Sequence, residues 1–185
     1  VWGGASHRRA APGGGAVWSW GQGGLGALGH GSLQNELLPR KIEAFDGQRV
    51  VAVSAGGQHS LALAANGAVW SWGDGGSGRL GHGDGQNQLL PKKIEAFADQ
   101  RVVAVSAGGA HSLAITADGA VWSWGGATYG KLGHGDRQDE LEPMVVEALA
   151  GQRVVAVSAG WSHSFATTAD GAVWSWGGGF FGRLG

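Results

Sequence analysis

Seven histidines are the residues of this chain best equipped to do chemistry. An imidazole titrates near neutral pH, so it can act as general base, proton shuttle or metal ligand. His59, His111 and His163 are each followed by a serine, and a serine beside a base is also the pairing of nucleophilic hydrolysis. Spacing decides against both readings. His30, His82 and His134 fall once every 52 residues, and His59, His111 and His163 do the same. A residue that returns in every unit behaves as scaffold. A metal site needs ligands converging at about 2.0 to 2.3 Å on one ion, and no stretch here clusters a carboxylate with two histidines. The glycine-rich loops lack the lysine and serine or threonine of a phosphate-binding loop and lead into strands, not helix N-termini. The expectation is therefore no catalytic residue, no metal and no cofactor.

The elements that carry these histidines recur with them. Trp18 and Trp20 return as Trp70 and Trp72, Trp122 and Trp124, and Trp174 and Trp176, each pair 52 residues on. Such self-similarity marks an array whose units bury their apolar faces only against neighbours. Within the unit that starts at Gln48, Val50–Ser54 reads as a β-branched strand and Ser60–Ala64 as a second. Asn66-Gly67, matched by Asp118-Gly119 and Asp170-Gly171, predicts a two-residue type I′ turn with positive φ. Ala68–Trp72 is the third strand, with both indoles on one face because side chains alternate. Gly73–Gln88 is a long ordered loop, and Leu89–Glu95 is an outer strand that tolerates Pro91 at its edge.

Four antiparallel strands per unit make a propeller blade. The predicted fold is all-β, a partial β-propeller of about three and a half four-stranded blades of 52-residue repeats. The single array 1–185 divides into a degenerate first repeat at 1–47, repeats at 48–99 and 100–151, and a truncated repeat at 152–185. His7 falls in register, but Arg8-Arg9-Ala10-Ala11-Pro12-Gly13-Gly14 replaces the strand after it, so residues 1–15 are expected to fray. The chain reads as a fragment cut within a repeat at both ends, and such open ends are expected to favour self-association.

Composition narrows the partners. Glycine, 38 of 185 residues, stands at about three times its usual share, yet the periodic apolar strands exclude a disordered chain. The formal charge is −1 with both signs interspersed, so no basic tract argues for nucleic acid or an anionic membrane. No run approaches the roughly 18 apolar residues of a membrane span. Without cysteine there is no disulfide and no thiolate site, which fits a reducing compartment.

Val53-Ser54-Ala55-Gly56-Gly57-Gln58-His59-Ser60-Leu61-Ala62-Leu63, followed by the tryptophan strand and Gly78-Arg79-Leu80-Gly81, resembles the repeat of the regulator of chromosome condensation family. The likeness runs from Ala16 to the end of the chain, with Thr167 replacing the last aliphatic of the motif. It implies a seven-bladed propeller and an intracellular, cytoplasmic or nuclear setting. Family members act as exchange factors for the small GTPase Ran, as chromatin-binding modules, as domains of large ubiquitin ligases and as a plant ultraviolet-B photoreceptor. The exchange activity is associated with a hairpin inserted in one blade, and the unvarying 52-residue spacing leaves no room for one here. Gly160-Trp161-Ser162-His163-Ser164 is similar to the photoreceptor's motif but occurs once and lacks its arginine.

In a uniform scaffold, function falls to the positions that vary. Strand parity places the Gly57-Gln58 turns and the Gly73–Gln88 loops on one face. Trp161 stands there where other repeats carry Gly57 or Gly109, and Tyr129, Phe180 and Phe181 replace Gly76, Ser77, Gly24 and Leu25. Arg79, Lys131 and Arg183 join them. Aromatic residues and arginine are the usual anchors of protein interfaces, so these seven residues are the expected partner-binding set. The expected function is a non-catalytic protein-interaction module; an exchange factor for a small GTPase, or the propeller portion of a larger ubiquitin ligase, are the alternatives. Arg49, Arg101 and Arg153, with Glu43, Glu95 and Glu147, recur unchanged on the opposite face and are expected to pair there.

Overall fold

The computed structural model describes residues 15–185, so His7 and the strand expected to be lost after it lie outside the described residues. β1 (Trp18–Gly21) and β2 (Glu36–Lys41) form a two-stranded sheet. β3 (Val50–Ala55), β4 (His59–Ala64), β5 (Val69–Gly73) and β6 (Gln88–Lys93) form a four-stranded sheet in sequence order, and β7 (Val102–Ala107), β8 (His111–Thr116), β9 (Val121–Gly125) and β10 (Glu140–Val145) repeat it. β11 (Val154–Ala159), β12 (His163–Thr168) and β13 (Val173–Gly177) complete the order. Each hydrogen-bonded pair is antiparallel. β3 lies beside β7 and β7 beside β11, so the first strands of the last three sheets line up innermost. The molecule is a partial β-propeller.

The fourth strand ends earlier than expected, at Lys93, because Glu95–Phe97 closes a short 3₁₀ turn. That turn has a packing role. It drops Phe97 between two sheets, where the ring meets Trp122 at 5.6 Å and Trp124 at 5.7 Å, both edge-on. Phe45 does the same one repeat earlier, at 5.8 Å from Trp70 and 5.7 Å from Trp72. The paired indoles therefore share a face, but unequally: Trp72 and Trp124 are fully buried, whereas Trp70 and Trp122 are half-buried. The core follows the joints between sheets. Leu61, Leu63, Val69, Ile94, Phe97 and Val102 pack with Trp124, and Ile115, Val121, Val146, Leu149 and Val154 fill the next joint.

β4 and β8 are buried along their whole length because a sheet covers each side. On β12 the alternate residues His163, Phe165 and Thr167 are half-buried, since no further sheet covers that side among the described residues.

The hairpin turns differ from the expected two-residue form. Gly67, Gly119 and Gly171 do have positive φ, at 89°, 90° and 90°, but Asn66, Asp118 and Asp170 do not. Gly67 N donates to Ala64 O and Ala64 N to Ala68 O, both at 2.9 Å, which makes a three-residue loop with glycine at the bulge. Asn66 Oδ1 accepts Ala68 N at 3.1 Å, and that bond holds Asn66 away from the left-handed region. The arginines after these turns do not pair with the repeated glutamates. Among the described residues Glu95 binds Lys93 at 3.2 Å, and Arg49, Arg101 and Arg153 make no ion pair. Their stems serve the next joint instead: Arg101 Cγ would stand 2.9 Å from a Cβ on Gly67.

Burial sets the expected cost of truncation. Trp124→Ala lowers stability by about 3 to 5 kcal/mol, and Trp122→Ala by less, because only Trp124 has no solvent exposure. Urea denaturation of the two variants measures both, and a larger loss for Trp122→Ala contradicts the assignment.

Candidate interaction face

The face forms where the loop after the third strand returns to the turn between the first two. Asp74 N donates to Gln58 O at 2.9 Å, Gly126 N to Ala110 O at 2.8 Å and Gly178 N to Ser162 O at 2.8 Å. The inner turns also touch from blade to blade, with Gly57 N on Gly108 O at 3.0 Å and Gly109 N on Gly160 O at 3.1 Å. Glycine is needed here for proximity. Neither Gly56 nor Gly57 has positive φ, but a Cβ on Gly56 would stand 2.5 Å from Gly108 O, and one on Gly57 2.7 Å from Gly109 O.

The histidines sit immediately beneath. His111 Nε2 lies 2.9 Å from Ser164 Oγ in the next blade, and Ser164 Oγ donates to Lys131 O at 2.8 Å. His59 reaches Ser112 in the same way at 2.9 Å, with Ser112 Oγ on Arg79 O at 2.9 Å. The serine's one proton goes to the carbonyl, so Nε2 is the donor in each pair. A serine and histidine at this distance have the geometry of nucleophile and base, yet Ser164 and His111 are both fully buried, where no substrate reaches them. These pairs join blades. Burial holds the His111 imidazole at a pKa of about 3, with Lys131 and His163 adding repulsion. Its Nδ1 is buried with no hydrogen-bond partner, so a second proton there has no acceptor. Among the described residues no three histidine or carboxylate groups converge on a metal-sized site.

Above this layer, Leu25, Ser77, Tyr129 and Phe181 occupy one equivalent position in four short 3₁₀ turns, and all four have positive φ, at 58°, 55°, 66° and 61°. They are the non-glycine residues of the described chain in this conformation. A left-handed residue with a β-carbon costs roughly 1 to 2 kcal/mol. The strain points a side chain outward: Tyr129 is 45% exposed and Phe181 94%.

Five of the expected anchors form one exposed surface. Tyr129 and Phe180 meet edge-on at 5.1 Å across adjacent blades, and Arg183 lies 5.5 Å from the Phe181 ring. Trp161 is 68% exposed and lies across the inner turns of two other blades, its Cζ3 3.3 Å from a Cβ on Gly57 and its Cδ2 3.0 Å from one on Gly109. The backbone at Gly178 links the two groups, since a Cβ there would stand 3.4 Å from Ser162 Cβ and 3.6 Å from Phe180 Cδ2. Arg183 is exposed beside them.

Arg79 and Lys131 are placed differently. Arg79 Nη1 bonds Asp74 Oδ2 at 2.8 Å and its Nε donates to Gly76 O at 2.8 Å, so the guanidinium clamps its own turn. Lys131 is only 4% exposed, and burial lowers its pKa, with Arg79 adding to the effect and Asp139 opposing it. Position explains both: this residue follows the 3₁₀ turn, and its carbonyl must receive the next blade's serine. The acid moves with the base. Asp74 accompanies Arg79, whereas Gly126 stands in its place beside Lys131 and Asp139 takes the position held by Asn87.

An array of propeller blades locked by histidine–serine joints defines the class. The chain belongs to the regulator of chromosome condensation family: the RCC1-like domain matches it over residues 1–185. It is 45% identical over 184 residues to the human E3 ubiquitin-protein ligase HERC2, covering 98% of this chain and 4% of that protein. It is 38% identical over 182 residues to the ultraviolet-B receptor UVR8 of Arabidopsis thaliana, covering 98% of this chain and 41% of the receptor. Prp20p from Saccharomyces cerevisiae, a protein described with its binding to Gsp1p and histones, superposes with a TM-score of 0.80 at 27% identity over 91% of this chain and 42% of its own. Human WBSCR16 superposes with a TM-score of 0.79 at 28% identity, over 88% and 42%. The chain thus spans less than half the length of each.

His111 gives the joint a pH dependence. With a pKa of about 3 folded and 6.5 unfolded, the unfolded state binds the extra proton, so this contribution is complete above pH 6.5 and is lost as pH falls toward 3. Burial lowers His30 and His82 as well, in the same sense. Stability measured by urea at pH 7, 5 and 4 falls accordingly, and His111→Gln, whose amide does not titrate, shows the shallower decline. Equal slopes contradict the assignment.

Proposed function

We propose that this chain is a non-catalytic protein-interaction module that binds a protein partner through its loop face, with Trp161, Tyr129, Phe180 and Phe181 as apolar anchors and Arg183 as the charged one. The observation that carries this reading is the strained turn. A backbone that holds a non-glycine side chain outward in the left-handed conformation, and does so in every blade, spends stability on presentation. Large aromatic side chains left exposed on one face are the pattern of an interface. Arg79 and Lys131 enter this reading as supports of the turns that present the anchors.

The likeness to HERC2 favours a second reading at a coarser scale, in which the module is the propeller portion of a larger ubiquitin ligase and recruits its protein partner. A small GTPase is the alternative partner, supported by the likeness to Prp20p, but the described blades repeat at 52 residues without an inserted hairpin. The reading sets the module in the cytoplasm or nucleus. No helix among the described residues is long and apolar enough to cross a membrane.

The first partners to titrate are a Ran-type GTPase and core histones, followed by proteins cross-linked from a photoreactive residue at position 161. Replacing Trp161 and Phe181 together with Ala weakens binding at least about 30-fold, the effect of a hot spot of roughly 2 kcal/mol. The melting temperature falls by only a few degrees, because both side chains are more than half exposed. Arg49→Ala, on the opposite face, leaves affinity unchanged. Unchanged affinity in the double variant, measured by calorimetry, overturns the assignment of the face.

A further inference from the structure

The side of the array that carries the hairpin turns holds a recess of about 270 Å³ between the third and fourth sheets. Its floor is Val121, Val146 and Leu149, none more than 6% exposed, and its rim carries Asp118, Gln152 and Arg153. Comparison between repeats shows how it arises. Leu149 stands where the earlier joints have Phe45 and Phe97, the rings that pack on paired tryptophans. In the same lining Val145 replaces Lys41 and Lys93, and Val146 replaces Ile42 and Ile94. All three replacements are smaller, and they converge on one joint.

Size then selects the occupant. An apolar cavity of about 150 Å³ holds a benzene ring, whereas drug-sized ligands occupy about 300 to 1,000 Å³, so this recess suits one side chain better than a cofactor. Charge refines the choice. Asp118 is already engaged, its Oδ1 accepting Thr116 Oγ1 at 2.6 Å and Ala120 N at 3.3 Å. Arg153 is exposed and makes no ion pair among the described residues, although its backbone carbonyl is taken by Ala169 N at 2.9 Å. The rim therefore offers the Arg153 guanidinium beside an apolar floor, with the Asp118 carboxylate held by its own turn.

We propose that this recess is a second docking site, which takes a phenylalanine-type ring from a partner polypeptide with a carboxylate beside it. The ring packs on Val121, Val146 and Leu149, and the carboxylate binds Arg153. The site lies on the side opposite the loop anchors, so it stands or falls separately from them.

N-acetylphenylalanine is the probe, titrated into the 15N-labelled chain and followed by amide chemical shifts. A ligand of this size binds with a dissociation constant on the order of 1 mM. Shifts are expected at Ala120, Val121, Gly151 and Arg153, and they disappear in Leu149→Phe, which restores the residue of the sister joints. Arg153→Gln and the uncharged probe N-acetylphenylalaninamide each weaken binding several-fold. Shifts confined to the loop face, absent altogether, or persisting in a folded Leu149→Phe variant overturn the site. Equal affinity for acid and amide overturns the role of Arg153.

Discussion

The contact on which the structure depends is the joint between blades. A propeller sheet has too little surface of its own to bury, so each is held by what the next presents to it. Here the joint combines three elements at one level: a glycine turn that lets backbones approach, a buried imidazole that donates across the gap, and a serine that passes the hydrogen bond on to a carbonyl of the first blade. Each element requires the others. A side chain at Gly108 would collide with His111 and with Gly160 O, and without the serine the imidazole would lose its acceptor in a site closed to water.

Much of this was legible in the sequence because the repeat displays it several times. The tryptophan pairs, the hairpin glycines and the scaffold role of the histidines could all be read from residues returning at a fixed interval. Less accessible was anything set by a single local bond. Asn66 looked like half of a two-residue turn, and its side chain's grip on Ala68 N makes the turn longer by a residue. Lys131 looked like a surface cation because lysine usually is one; that its carbonyl must meet the next blade's serine is a fact of tertiary geometry. The left-handed turn was hidden for a related reason, because residue types as different as leucine, serine, tyrosine and phenylalanine share it.

The two sides of the array depart from uniformity in opposite ways. On the loop side, small residues give way to aromatic ones, and surface is added. On the hairpin side, Phe and Lys give way to Leu and Val, and surface is removed. Both kinds of change leave the layer of glycine, histidine and serine between them untouched. Arg79 and Lys131 mark the boundary: they lie close enough to that layer that a change of base is matched by a change in where the acid sits.

The turn that carries Leu25, Ser77, Tyr129 and Phe181 has a consequence for how such a chain can diverge. Its backbone shape is imposed by the glycine that follows and by the loop bonds around it, so the conformational penalty is nearly the same whichever side chain occupies the place. The position behaves as a socket of fixed tension. One residue can be exchanged for another by drift with little change in folding, and selection for a new partner acts on the side chain alone. Duplication then multiplies the sockets, so an array of near-identical blades can hold a surface on which each blade contributes a different letter.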